Sequence, residues 1–219
     1  MKLSSSDLQR IYRCLFDCYG PQHWWPGDSR FEIMVGAVLT QNTAWSNVER
    51  AIANLKAADL LDPSAIINTD QVELAEMLRP SGYFNVKARR LRALCEFLLG
   101  SPDLEHHQDQ ALRDGFLAVH GIGPETADDI LLYAFNRPVF VIDAYTRRLF
   151  KRLGLIEENP GYESLRRAFE QVLPTDAQMF NEYHALIVHH VKHICKPRPD
   201  CRNCCLRSFC PFHVQIPGD

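Results

Sequence analysis

Five of the eight cysteines crowd into one C-terminal stretch, and four of them read Cys195-x5-Cys201-x2-Cys204-x5-Cys210. In a reducing compartment such crowding points to metal or cluster ligation rather than to disulfides. Structural zinc sites usually join two Cys-x2-Cys knuckles, whereas here one such pair is flanked by a lone cysteine on each side. A single loop of this kind can wrap a cube of iron and sulfide. A 4Fe–4S cluster is therefore the expected occupant, with zinc as the alternative. Cys205 adjoins Cys204 and can substitute for it. Lys192, Lys196, Arg198, Arg202 and Arg207 surround the loop, opposed only by Asp200. That patch reads either as an ordinary solvated loop or as a basic face for a phosphate backbone.

A second group of residues lies upstream. Gly121-Ile122-Gly123-Pro124-Glu125 joins two helical segments through a turn with two glycines. The glycines permit positive φ and a close approach of another chain, and Pro124 suits the first position of the following helix. The turn is either a plain corner between helices or a cradle for a phosphate oxygen. Beyond it, the apolar run Pro138–Ile142 ends at Asp143, just before another helix. Asp143 is a good N-cap, and it is also placed to meet a reacting sugar. Trp24, Trp25 and Trp45 are the three tryptophans. Trp45 shares a helical face with Val48 and Ile52 and fits a core. Trp24-Trp25-Pro26 is harder to bury as a unit, and its ring faces suit a cationic base.

The elements that must carry these residues are helical. Apolar positions recur at helical spacing through Ser5–Cys18, Phe31–Leu39, the segment after Thr43, Thr69–Leu78, Val86–Leu99, Gln110–Val119, Glu125–Phe135, Ala144–Leu153, Tyr162–Val172 and Asp176–His193. Thr43 and Asp62 are the expected N-caps of their segments. No run alternates long enough for a sheet, so the chain is expected to be all-α. With 219 residues, 46% of them hydrophobic and 23% charged, it can bury a real core. No apolar run approaches the roughly 20 residues of a membrane span, and the N-terminus has no apolar signal core, so a cytoplasmic monomer with no membrane partner is expected. The net charge of −3 argues mildly against nucleic acid, which leaves local clustering to carry any such role.

Taken together, the motifs resemble the helix-hairpin-helix DNA glycosylases of the endonuclease III superfamily, and the resemblance covers nearly the whole chain. It rests on Gln41-Asn42-Thr43 after an apolar helix, Gly82-Tyr83 before the basic helix from Lys87, Gly121-Ile122-Gly123, Asp143 and the cysteine loop. It implies two helical domains flanking a DNA-binding cleft. One is a six-helix domain with the hairpin over 27–137. The other, over 1–26 and 138–219, carries a 4Fe–4S loop held by Cys195, Cys201, Cys204 and Cys210. The partner implied is double-stranded DNA with a damaged base, bound through Gln41, Asn42, Gly121, Gly123, Lys192, Lys196 and Arg198.

Departures from the family pattern are informative. Lyase-active relatives carry a lysine where this chain has Glu125, and a carboxylate cannot form an imine. Relatives that act on adenine opposite oxidised guanine hold a glutamate where Ala37 stands. Tyr145 replaces a common histidine, and the cysteine loop is one residue shorter between Cys195 and Cys201. The closest resemblance is to 3-methyladenine DNA glycosylases on this scaffold, whose base pocket corresponds to Trp24, Trp25, Pro26 and Trp45. The resemblance implies hydrolytic excision of alkylated purines, with Asp143 and Glu125 as catalytic residues and either Gln41 or Asn42 filling the gap left by the everted nucleotide. The alternatives are a thymine or uracil mismatch glycosylase and a non-catalytic iron–sulfur DNA-binding protein.

Overall fold

The computed structural model describes residues 3–25, 27–157 and 160–215, and every regular element among them is helical. The chain divides into two compact units, one formed by Met1–Trp25 with Pro138–Asp219 and the other by Pro26–Arg137. Among the described residues no helix is long and apolar enough to cross a membrane.

The central unit holds α2 (Arg30–Leu39), α3 (Trp45–Ala57), α4 (Pro63–Asn68), α5 (Gln71–Met77), α6 (Phe84–Gly100), α7 (Asp109–Ala118) and α8 (Pro124–Asp129), with α1 (Ser5–Tyr19) preceding them in the other unit. Short polar residues start several of these helices by accepting orphan N–H groups. Ser29 does so for Glu32, Asp62 for Ala65, and Asp70 for Val72 and Glu73. Helix α2 is the core of this unit, with Met34, Val35, Ala37, Val38 and Leu39 all buried. Its C-terminal carbonyl at Leu39 accepts from the Lys87 ammonium at 2.7 Å, and Ser81 O accepts from the same group at 2.7 Å. Burial pulls the Lys87 pKa down to about 8, yet two carbonyls keep the charge solvated inside the unit.

Three helix boundaries differ from expectation for local reasons. Thr43 does not cap α3. Its N–H closes a turn on Thr40 O, and Ala44 is the N-cap without a side-chain bond. Thr69 belongs to the end of α4, where its hydroxyl donates to Ala65 O at 2.8 Å, so α5 starts only after Asp70. The helix expected over Glu125–Phe135 widens after Asp129 into a π-helical stretch, Ile130–Ala134, packed on α2.

The terminal unit combines α1 with α9 (Ala144–Arg152), α10 (Tyr162–Val172) and α11 (Ala177–His193). Its core is aromatic. Phe140 stacks on Phe169 at 4.5 Å, and Phe150 meets Phe169 edge-on at 4.7 Å. Fully buried Tyr183 donates its hydroxyl to Leu8 O at 2.9 Å, tying α11 to α1. The last residue of α9, Arg152, donates to the carbonyls of Cys195, Lys196 and Pro197, which holds the cysteine loop against this core.

Candidate functional site

In the terminal unit the apolar run Val139–Ile142 leads to Asp143 at the start of α9, where the carboxylate is buried. Oδ1 accepts the Thr146 N–H at 2.7 Å, so the capping role is real. The other oxygen, Oδ2, lies 3.6 Å from Nε2 of His184 on α11. Burial pushes the Asp143 carboxyl up, but His184 and the Thr146 N–H overcome it and hold the group below the usual carboxylate range. Asp143 is thus a desolvated carboxylate kept ionised, which is what stabilisation of a cationic sugar requires.

His184 and Lys192 lie two helical turns apart on the same face of α11. The Lys192 ammonium lies 5.7 Å from the Trp24 ring centroid and 5.8 Å from that of Tyr145. Burial lowers its pKa, and Asp143 works in the opposite sense. Lys192, exposed like Lys196 and Arg198 of the cysteine loop, thus also lies near the carboxylate and the aromatic rings. Trp24 and Trp25 are both half-buried and meet edge-on at 6.0 Å. Pro26 lies outside the described residues.

His184 is a residue the sequence reading passed over. Its signal is weak, because only the fold brings it to Asp143. Replacing His184 with Leu removes a group that lowers the Asp143 pKa, while burial and the Thr146 N–H remain. The acid limb of the kcat–pH profile is expected to move to higher pH, with the neutral-pH rate less affected. An unmoved acid limb would show that His184 does not act through Asp143.

In the central unit the hairpin between α7 and α8 uses its glycines unequally. Gly121 has φ +85°, and a Cβ there would fall inside the Arg90 side chain. Gly123 has φ −93°, and a Cβ there would meet nothing within 4 Å. Only Gly121 needs to be glycine for conformation and space, contrary to the expectation for both. Gly121→Ala is expected to cost at least about 1 kcal/mol in stability from strain alone, while Gly123→Ala leaves the fold unchanged. Thermal melts of the two variants check this.

Gln41 braces the hairpin. Its Nε2 donates to Gly121 O at 3.1 Å and to Thr126 Oγ1 at 2.9 Å, and its Oε1 accepts from Arg90. Neighbouring Asn42 is exposed with φ +54°, leaving it as the projecting residue of that turn. Arg90 is the other residue the sequence reading missed, although it stands one turn beyond Lys87 on the basic helix. Exposed Tyr83, with φ +47° at the start of α6, is a strained aromatic of the kind found at functional sites. Glu125 is exposed in the first turn of α8. Half-buried Trp45 opens α3, and its indole N–H donates to Glu49 at 3.0 Å.

Cys195, Cys201, Cys204 and Cys210 all line one pocket of the terminal unit, together with apolar Leu149, Leu153, Ile194 and Leu206. Burial pushes the Cys204 thiol up to about 11, and the other three cysteines add to it, so the four thiols share one electrostatic environment. Cys205 points elsewhere, with Sγ 4.0 Å from the Tyr19 hydroxyl and Cys18 beside it. Among the described residues no cysteine is in a disulfide. Among the described residues no three His, Cys, Asp or Glu side chains gather as around a single metal ion. Four soft donors ringing an apolar pocket fit a cluster with four separate corners.

Comparison with known proteins places this geometry. Residues 35–175 match the model of the HhH-GPD superfamily of base excision DNA repair proteins. A Methanocaldococcus jannaschii protein provisionally named a DNA repair glycosylase is 47% identical over 209 residues, covering 93% of this chain and 95% of its own. The crystal structure of H. pylori 3-methyladenine DNA glycosylase bound to 1,N6-ethenoadenine matches with TM-score 0.73 and 31% identity, over 86% of this chain and 97% of that one. A non-covalent endonuclease III–DNA complex matches in fold with TM-score 0.85 at 20% identity, over 97% of this chain and 98% of that one. The chain belongs to the HhH-GPD superfamily of base excision DNA repair proteins and is a DNA N-glycosylase.

Proposed function

We propose that this glycosylase excises N-alkylated purines of the 3-methyladenine type by hydrolysis and leaves the abasic strand uncut. The observation that carries the reading is the ionised, buried Asp143 in one unit with half-buried Trp24 and Trp25. Aromatic faces attract a cationic base, and an alkylated purine already has a weakened glycosidic bond. Little leaving-group activation is then needed. The likeness to the 3-methyladenine glycosylase supports the same substrate class.

In this mechanism the Gly121–Gly123 turn, braced by Gln41 and Arg90, holds the DNA backbone through its amides. Asn42 and Tyr83, both exposed, enter the duplex when the nucleotide leaves it. Asp143 stabilises the oxocarbenium-like sugar and accepts a proton from the water that attacks C1′ as the bond to the base breaks. The base leaves with the bonding electron pair. Glu125 stands exposed in the first turn of α8. Having no amine, it offers no Schiff base and no strand cleavage by that route. Cys195, Cys201, Cys204 and Cys210 would hold a 4Fe–4S cluster. Its part is structural, fixing the loop that presents Lys196 and Arg198 to phosphate, since hydrolysis moves no electrons.

Lys192 favours a second reading, a thymine or uracil mismatch glycosylase, because its ammonium beside the same rings could donate to a pyrimidine carbonyl. The lyase question separates cleanly. A duplex with one 1,N6-ethenoadenine should be cut only after hot alkali, and borohydride should trap no protein–DNA adduct. A trapped adduct would contradict the hydrolytic mechanism.

A further inference from the structure

The cysteine pocket has an outer partner on its α1 side. His190 is fully buried on α11, and its ring bridges two elements. Nδ1 is 2.7 Å from the Tyr19 hydroxyl, the last residue of α1, and Nε2 is 3.7 Å from Cys204 Sγ. The backbone of His190 serves the same loop, since its carbonyl accepts the N–H groups of Ile194 at 2.8 Å and Cys195 at 3.0 Å. A neutral imidazole has one donor and one acceptor nitrogen, and the partner of one nitrogen decides the role of the other. A phenol proton given to Nδ1 leaves Nε2 as the donor, aimed at sulfur.

We propose that Tyr19 and His190 act as a positioning pair for the cluster, with Tyr19 fixing the tautomer and His190 donating Nε2–H to the Cys204 thiolate. The assignment rests on the reading of the cysteine loop as a cluster site. A hydrogen bond to a ligating sulfur withdraws charge from it, which raises the reduction potential and slows loss of the ligand. Cys204 needs the help most, because the chain leaves it between two other cysteines, Cys201 and Cys205, and only one of these lines the pocket. The imidazole is directed at Cys204 rather than Cys205, whose sulfur lies 4.0 Å from the Tyr19 hydroxyl instead.

The test uses the full chain, reconstituted anaerobically with iron and sulfide, with iron content, reduction potential and bleaching of the visible charge-transfer band in air as readouts. His190→Leu should bleach several-fold faster and show a lower potential. His190→Gln, which can keep an N–H near the position of Nε2, should stay near wild type, and Tyr19→Phe should fall between them. Circular dichroism confirms that each variant is folded. Equal bleaching and equal potential in all four proteins would overturn the pair while leaving the cluster reading intact. A folded Gln variant as labile as the Leu variant would also overturn it, because packing rather than the N–H would then matter. Wild-type protein that retains no iron would overturn the pair and the cluster reading together.

Discussion

Asp143→Asn should lower base release by about 10³-fold or more while leaving DNA affinity close to wild type. The two effects separate because the residue has two roles carried by different atoms. As an N-cap it accepts the Thr146 N–H through Oδ1, and an asparagine carbonyl accepts the same bond almost as well. As a charge it is desolvated and still ionised, with His184 on its second oxygen. The amide keeps the first role and loses the second. It can neither balance a developing oxocarbenium ion nor take a proton from water. Single-turnover kinetics beside a fluorescence anisotropy titration measure both quantities on one preparation. Unchanged kinetics would remove Asp143 from the chemistry. Lost binding with an altered melt would mean that capping was its main contribution.

The second large effect is on stability. Arg113 of α7 and Asp128 of α8 form a buried pair, with Nε 2.6 Å from Oδ1 and Nη2 3.2 Å from Oδ2. Their side chains are 6% and 0% exposed, so water cannot replace a lost partner. Asp128→Asn removes the negative charge from this buried pair, which is expected to cost about 3–5 kcal/mol. For a chain of this size that lowers Tm by roughly 10 °C. The pair joins the two helices on either side of the Gly121 turn, so loss of activity should follow the melt and return on cooling. A melt within about 1 °C of wild type would show that the pair is not an energetic anchor of the hairpin.

The fold class and most helix positions were legible because they depend on local rules. Apolar spacing marked the long helices, while Pro124, Asp62 and Asp143 stand where N1 and N-cap chemistry places them. The failures have equally physical causes. Thr43 looked like a cap, but a tight turn on Thr40 took its N–H first. Gly121 and Gly123 look equivalent in sequence, and only the backbone and the neighbouring Arg90 tell them apart. Asp143 could be singled out because its local setting is distinctive. His184 and the Tyr19–His190 pair could not, since each matters only through a partner far along the chain. The nearness of Lys192 to Trp24, Tyr145 and Asp143 was equally invisible along the chain.

Hydrolytic excision of an alkylated purine yields a free base and an uncut abasic strand. The most direct measurement is mass spectrometry of every free base released when the pure protein acts on methylated genomic DNA, with Asp143→Asn as the control. Wild-type protein should release 3-methyladenine or 7-methylguanine, the variant neither, and the abasic strands should stay intact. Release of no alkylated base, together with excision of thymine or uracil opposite guanine, would contradict alkylpurine excision and move the substrate to mispaired pyrimidines.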